Sequence, residues 1–265
     1  MHVVRLGAVS YLNTKPLVYG LEQRADLFSL RFDVPARCAA LLHQAGIDLG
    51  LIPAVEYLRG DYRIVPGVAI GSNGPVDSVA IFSRVPIAQI KTLAMDSSSR
   101  TSAALTRILF ASYWQVAPKL ITAEPNLHVM LTRADAALVI GDPALQIDER
   151  TEGLLKIDLG LAWQSFTGLP FVYAIWSGRE GACQPAHVTE LNAARDRGCA
   201  NLGAIAAAAA DGVPWREAQA MRYLGDNLRY DLGEAEIAGL RRFHELAAEH
   251  HLVHAVKPLR FFVES

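Results

Sequence analysis

The sequence predicts an α/β protein divided into two lobes. Runs rich in Val, Ile and Leu recur with helical patterns between them, the signature of largely parallel, buried strands. A strand-helix-strand unit of this kind occurs twice along the chain. With 265 residues, 51% hydrophobic and 20% charged, the chain is long enough to divide its core between two lobes.

The elements read in order. A strand over 3–7 breaks at Gly7 into a polar loop, and a helix over 16–22 follows with Pro16 in its first turn, where the missing N–H costs little. A strand over 30–33, a helix over 36–45 and a strand over 49–52 complete the first unit. Residues 77–83 alternate enough to be a strand leaving the first lobe, and 171–176 look like its return partner, so two crossing strands form a hinge. Between them lie a strand over 92–95, a serine-rich turn, a helix over 102–112, and strands over 119–122 and 137–140. Three helical patterns, 185–210 with Gly198 as a candidate break, 214–223 and 234–249, pack back on the first lobe. Lobe one is therefore expected to comprise 1–80 plus 175–265, and lobe two 81–174.

Composition excludes several functions. A formal net charge of −2 with scattered basic residues leaves no footprint for nucleic acid. The longest apolar-looking run, 202–210, is mostly alanine and falls well short of the roughly 20 residues of a membrane span. Cys38, Cys183 and Cys199 match neither a CxxC site nor a disulfide framework and read as reduced thiols. Met1 leads straight into Val3 and Val4 without a signal-peptide pattern, so the expected compartment is the cytoplasm.

The strongest chemical signal is the run 97–102, where a strand gives way to a helix. N–H groups at a helix start, with the hydroxyls of Ser98, Ser99, Thr101 and Ser102, suit a carboxylate or phosphate; a plain helix cap explains the serines too. Arg100 offers a planar fork to a carboxylate, or is a solvated surface arginine. In the first loop Asn13 can orient a substrate hydroxyl through an amide that both donates and accepts, or it caps the following turn. Ser10 and Tyr11 share that argument in weaker form. Ser78, at the start of the crossing strand, and Gly141-Asp142, after a strand end, lie where open α/β sheets place ligands. The Asp142 carboxylate equally suits a cap before Pro143. Trp163 and Phe166 read first as core.

No metal is expected, since His244-Glu245 begins an HExxH pattern that fails at Ala248. The absence of GxGxxG, Walker and GxSxG motifs leaves no suggested cofactor.

Five ordered segments carry a family resemblance: Arg5 to Leu17, Asp48 to Tyr57, Asp96 to Ser102, Ala137 to Leu145, and Asp158 to Tyr173. Together they resemble the chorismate dehydratases of menaquinone biosynthesis by the futalosine pathway. The resemblance implies a two-lobe fold like that of type II periplasmic binding proteins, with a discontinuous first lobe and ligand in the cleft between lobes. It also implies a small-molecule substrate, the dicarboxylate chorismate, which loses water to give 3-[(1-carboxyvinyl)oxy]benzoate without metal or cofactor. On that reaction Asn13 would orient the departing hydroxyl while the serine run and Arg100 meet charge on the ring carboxylate. The same features suit a non-catalytic binding or sensor protein for a small carboxylate. A third candidate is the 1,4-dihydroxy-6-naphthoate synthase of the same pathway, whose N-terminal loop reads differently from Ser10-Tyr-Leu-Asn13.

Overall fold

The computed structural model describes residues 2–96 and 99–263. Its strands form two five-stranded sheets. In the first, β1 (Val4–Val9) lies parallel to β2 (Phe28–Asp33) and to β3 (Leu49–Pro53). It is extended by β4 (Arg63–Ser72) and β10 (Phe171–Gly178) to give the order β2-β1-β3-β10-β4. The second sheet has the order β7-β6-β8-β5-β9, from β5 (Val79–Ser83), β6 (Thr92–Asp96), β7 (Lys119–Ala123), β8 (Ala136–Ile140) and β9 (Leu155–Asp158). In both sheets three parallel strands meet an antiparallel one: β10 against β3 and β5 against β8.

The chain crosses from β4 in the first sheet to β5 in the second, and returns after α5 (Leu159–Thr167) to β10. Strand β5 lies wholly in the second sheet, so the crossing itself falls on 73–78, just before the strand predicted to make it. Asp158 holds this segment: its carboxylate accepts N–H bonds from Val76 and Asp77 at 2.7–3.1 Å while capping α5 through the Leu161 N–H. Burial raises the Asp158 carboxyl, and the three N–H donors oppose that rise.

Several boundaries differ from the sequence reading for physical reasons. Strand β1 runs through Gly7 to Val9, because Gly7 lies under the Ile47 side chain where a Cβ would come within 2.5 Å. The expected helix over 16–22 is instead two tight 3₁₀ segments, Leu12–Val18 and Leu21–Gln23, parted by Gly20 at φ +79°. Strand β4 lies outside the elements read from the sequence; its pairing with β10 absorbs Pro66 and Gly67 in a register shift between Ile175 and Ser177.

Gly198 does not break its helix. Helix α6 runs Pro185–Ala200 and the chain turns only at Asn201, before α7 (Leu202–Ala209). Gly198 instead lets α6 lie directly on the 3₁₀ segment, where a Cβ would stand 2.0 Å from the Pro16 carbonyl oxygen. Gly198→Ala must push these elements apart, and a loss of about 1–3 kcal/mol is expected. A thermal melt matching the wild type would refute that close approach.

Helix α8 (Pro214–Arg222) continues into a wider turn, Tyr223–Asn227, and α9 spans Glu234–Glu249 as its pattern predicts. Trp163 is fully buried, donates its indole N–H to the Pro170 carbonyl at 3.1 Å, and packs edge-on against Phe171 and Phe243. No helix among the described residues is long and apolar enough to cross a membrane.

Candidate functional site

Between the two sheets lies a cleft lined by residues of both. Its floor comes from the C-terminal ends of parallel strands, with Val9 ending β1, Pro53 ending β3 and Ile140 ending β8, the edge at which open α/β sheets bind ligands. Tyr11 and Asn13 enter from the first loop, Ser78 from the crossing segment, and Ser99 and Ser102 from the start of α2 (Arg100–Ile108). Pro35, the first residue of α1 (Pro35–His43), also faces it. None of the described lining residues is Lys, Arg, His, Asp or Glu.

The serines form a compact donor set. Ser99 caps α2 by accepting the Ser102 N–H at 3.3 Å, and the two hydroxyls stand 3.1 Å apart. Capping and cleft lining therefore coexist in the same residue. With the positive end of the nine-residue helix α2 behind them, an anion in this part of the cleft meets hydroxyl and backbone donors without a charged side chain.

Across the cleft, Gly141 and Asp142 meet the first loop. Both Asp142 carboxylate oxygens accept the Leu12 N–H, at 3.1 and 3.2 Å. Burial raises the Asp142 carboxyl, with the Leu12 N–H and Lys15 working against the rise. Gly141 takes φ +69° with ψ −154°, a glycine conformation, and a Cβ there would come within 2.8 Å of the Tyr11 ring. The Asp142 side chain is thus a clasp on the loop rather than a lining group. Its backbone neighbour Gly141 does line the cleft and donates its N–H to the Ser78 carbonyl at 2.8 Å.

Other expected site residues fall elsewhere. Ser10 is exposed and outside the lining, with its N–H donated to the Asp33 carbonyl at 3.0 Å. Thr101 is buried against the 3₁₀ segment after β3, its hydroxyl oxygen accepting the Val55 N–H at 3.2 Å. Arg100 does not reach the cleft: its guanidinium donates to the Glu56 carboxylate at 3.0 Å. Glu56 is fully buried and also receives His43 at 2.7 Å, with Arg59 at 3.3 Å. A buried carboxylate must gather cations, and this one takes Arg100 away from the ligand. Ser98 lies outside the described residues.

Residues 4–249 match a family described as menaquinone biosynthesis. The chain belongs to the menaquinone biosynthesis family. Among its relatives, a chorismate dehydratase of Thermus thermophilus is 30% identical over 258 residues, 91% of this chain and 93% of that protein. Another, from Campylobacter jejuni, is 27% identical over 178 residues, 64% of this chain and 66% of that protein. Among solved structures, the periplasmic aliphatic sulphonate binding protein SsuA of Escherichia coli superposes with a TM-score of 0.67 at 15% identity, over 100% of this chain and 95% of that one. An Archaeoglobus fulgidus protein does so with 0.73 at 16% identity, over 95% and 99%. These likenesses show that this menaquinone-biosynthesis protein has the two-lobe periplasmic-binding-protein fold.

Two tyrosines of the site escaped the sequence reading. Tyr173 of β10 lines the cleft with its hydroxyl 3.0 Å from Ser72 Oγ, and Tyr223 lies just behind, its hydroxyl donated to Ser78 Oγ at 2.8 Å. Burial pushes both phenols upward, so both stay protonated. Each sits in a periodic pattern that reads as core; the available signal was that a buried tyrosine needs a polar partner for its hydroxyl. Among the described residues no three His, Cys, Asp or Glu side chains converge as for a metal.

Proposed function

We propose that this chain is a chorismate dehydratase, converting chorismate to 3-[(1-carboxyvinyl)oxy]benzoate and water. The observation that carries the reading is the 30% identity to a chorismate dehydratase across nearly the full length of both proteins. The cleft suits the chemistry. Chorismate is a dianion, and the starts of α1 and α2, at Pro35 and Ser99, both face the cleft.

The reaction breaks the C3–H bond, leaves its electron pair to complete the aromatic ring, and expels the C4 hydroxyl with the electrons of the C4–O bond. The proton taken from C3 and the departing hydroxide together make the water. As the C3 proton leaves, charge spreads through the ring to its carboxylate, where the Ser99 and Ser102 donors at the helix start stabilise it. With no carboxylate or imidazole among the described lining residues, the enolpyruvyl carboxylate of the substrate takes the proton intramolecularly. Asn13 orients the departing hydroxyl. Three free cysteines, two of them buried, suit the reducing cytoplasm in which this reading places the protein.

The test is incubation of purified protein with chorismate, with product followed by chromatography and mass detection against a heat-inactivated blank. Conversion above the blank is expected. A chorismate-induced rise in melting temperature without conversion would replace the enzyme by a carboxylate-binding protein of the same fold.

A further inference from the structure

The first loop is fastened from both lobes. Within its own lobe, the Ser10 N–H donates to the Asp33 carbonyl at the end of β2, and the Thr14 N–H donates to the Tyr11 carbonyl at 3.1 Å. The first N–H groups of a helical segment have no partner inside it, and Tyr11, which precedes the 3₁₀ segment Leu12–Val18, supplies no side-chain cap. The Leu12 N–H is one of these groups. It goes to the Asp142 carboxylate, 130 residues away in sequence and just beyond β8 of the other sheet.

The grip falls between two lining side chains. Neither Asp142 nor Leu12 is among the residues that line the cleft, but Tyr11 and Asn13, on either side of Leu12, both do. Gly141 braces the carboxylate from behind. It packs on the Tyr11 ring in a conformation open only to glycine, and its own N–H is tied to the Ser78 carbonyl.

We propose that Asp142 is a positioning residue of the dehydration: by accepting the Leu12 N–H across the cleft, it caps the 3₁₀ segment from the opposite lobe and sets Asn13 against the hydroxyl that leaves the ring. This rests on the dehydratase reading above. Asp142 does not touch the reacting atoms and acts only through the loop. Because the bond spans the two lobes, it holds only while they are together, so the Asn13 amide is in place only over a closed cleft. Without the carboxylate the loop keeps its ties at Ser10 and Thr14 but loses the one next to Asn13.

The test uses the full chain with chorismate as probe. Asp142→Ala is expected to lower kcat by about tenfold to a hundredfold, the scale of lost alignment, with KM changed less than about threefold. Asp142→Asn keeps the shape and an amide oxygen that accepts the same N–H, and is expected to hold kcat within about fivefold of the wild type. In an Asn13→Ala background, Asp142→Ala is expected to add less than about threefold, because the two residues act as one unit. A role confined to packing would not produce the split between kcat and KM. Wild-type kcat in Asp142→Ala, an asparagine variant as impaired as alanine, or losses that simply multiply in the double variant would each overturn the proposal while leaving the dehydratase reading intact. A wild-type protein that makes no product would overturn both. If Asp142→Ala melts below assay temperature, Asp142→Glu keeps the carboxylate, shifts it by one methylene, and takes its place in the same cycle, with the same non-additivity expected.

Discussion

Asn13→Ala is expected to bind chorismate with a KM within a few-fold of the wild type and to lose about 100- to 1,000-fold in kcat, the usual result of deleting one donor to a developing oxyanion. Asn13 lines the cleft beside Ser78 and is half-buried, so its amide meets the ligand with little competing water. A leaving hydroxyl gains negative charge only as its bond to carbon breaks. A donor to that oxygen therefore acts on the transition state much more than on the bound substrate, and the loss falls on kcat. Asn13→Asp tests the same point with almost no change of shape. It removes the N–H donor and places a carboxylate beside the departing hydroxide, so it is expected to be at least as impaired as alanine. Steady-state kinetics with both variants decide the matter, and an Asn13→Asp protein of wild-type kcat would remove Asn13 from the chemistry.

The parts of this site legible in the sequence are those whose signal is local. The Ser-rich helix start and the polar loop after β1 announce themselves because capping residues and a strand end occur within a few positions of each other, and both Asn13 and Ser99 do line the cleft. Arg100 misled because its partner, Glu56, is 44 residues away in sequence. A fully buried acid inside an otherwise apolar segment gives no sign of which cations it will collect. Tyr223 and Ser78 are 145 residues apart, a separation over which no periodicity carries information. Strand β4 was hidden by Pro66 and Gly67, residues that do interrupt pairing locally, while the ladder to β10 on either side outweighs them. The family's segment order carried what local rules could not, namely that the two strand-helix units close on one cleft.

His244 makes the fold sensitive to acid. Its ring lies 1% exposed in α9, stacked on Tyr57 at 6.0 Å, with Nε2 3.1 Å from the Ala54 carbonyl. The carbonyl can only accept, so Nε2 carries the proton and Nδ1 is left bare, with no hydrogen-bond partner among the described residues. Protonating Nδ1 would bury a charge beside nothing that answers it, and burial accordingly lowers this imidazole from 6.5 to about 4. Because the folded value lies below the unfolded one, the unfolded chain binds the proton first as pH falls. Stability is unaffected by this group above about pH 6.5 and declines from there to about pH 4. The gap corresponds to about 3 kcal/mol at its full extent, or roughly 6–12 °C in Tm for a chain of this size. The buried carboxyls of Asp142 and Asp158, raised rather than lowered, work in the opposite direction, favouring the folded chain as they protonate. The diagnostic quantity is therefore the difference between wild type and His244→Gln, which removes the titrating ring and leaves both carboxyls in place. Denaturant unfolding at intervals from pH 7.5 to 4 is expected to show the wild type losing about 3 kcal/mol more than the variant over that range. Parallel curves would mean that the buried imidazole finds a partner for its second proton.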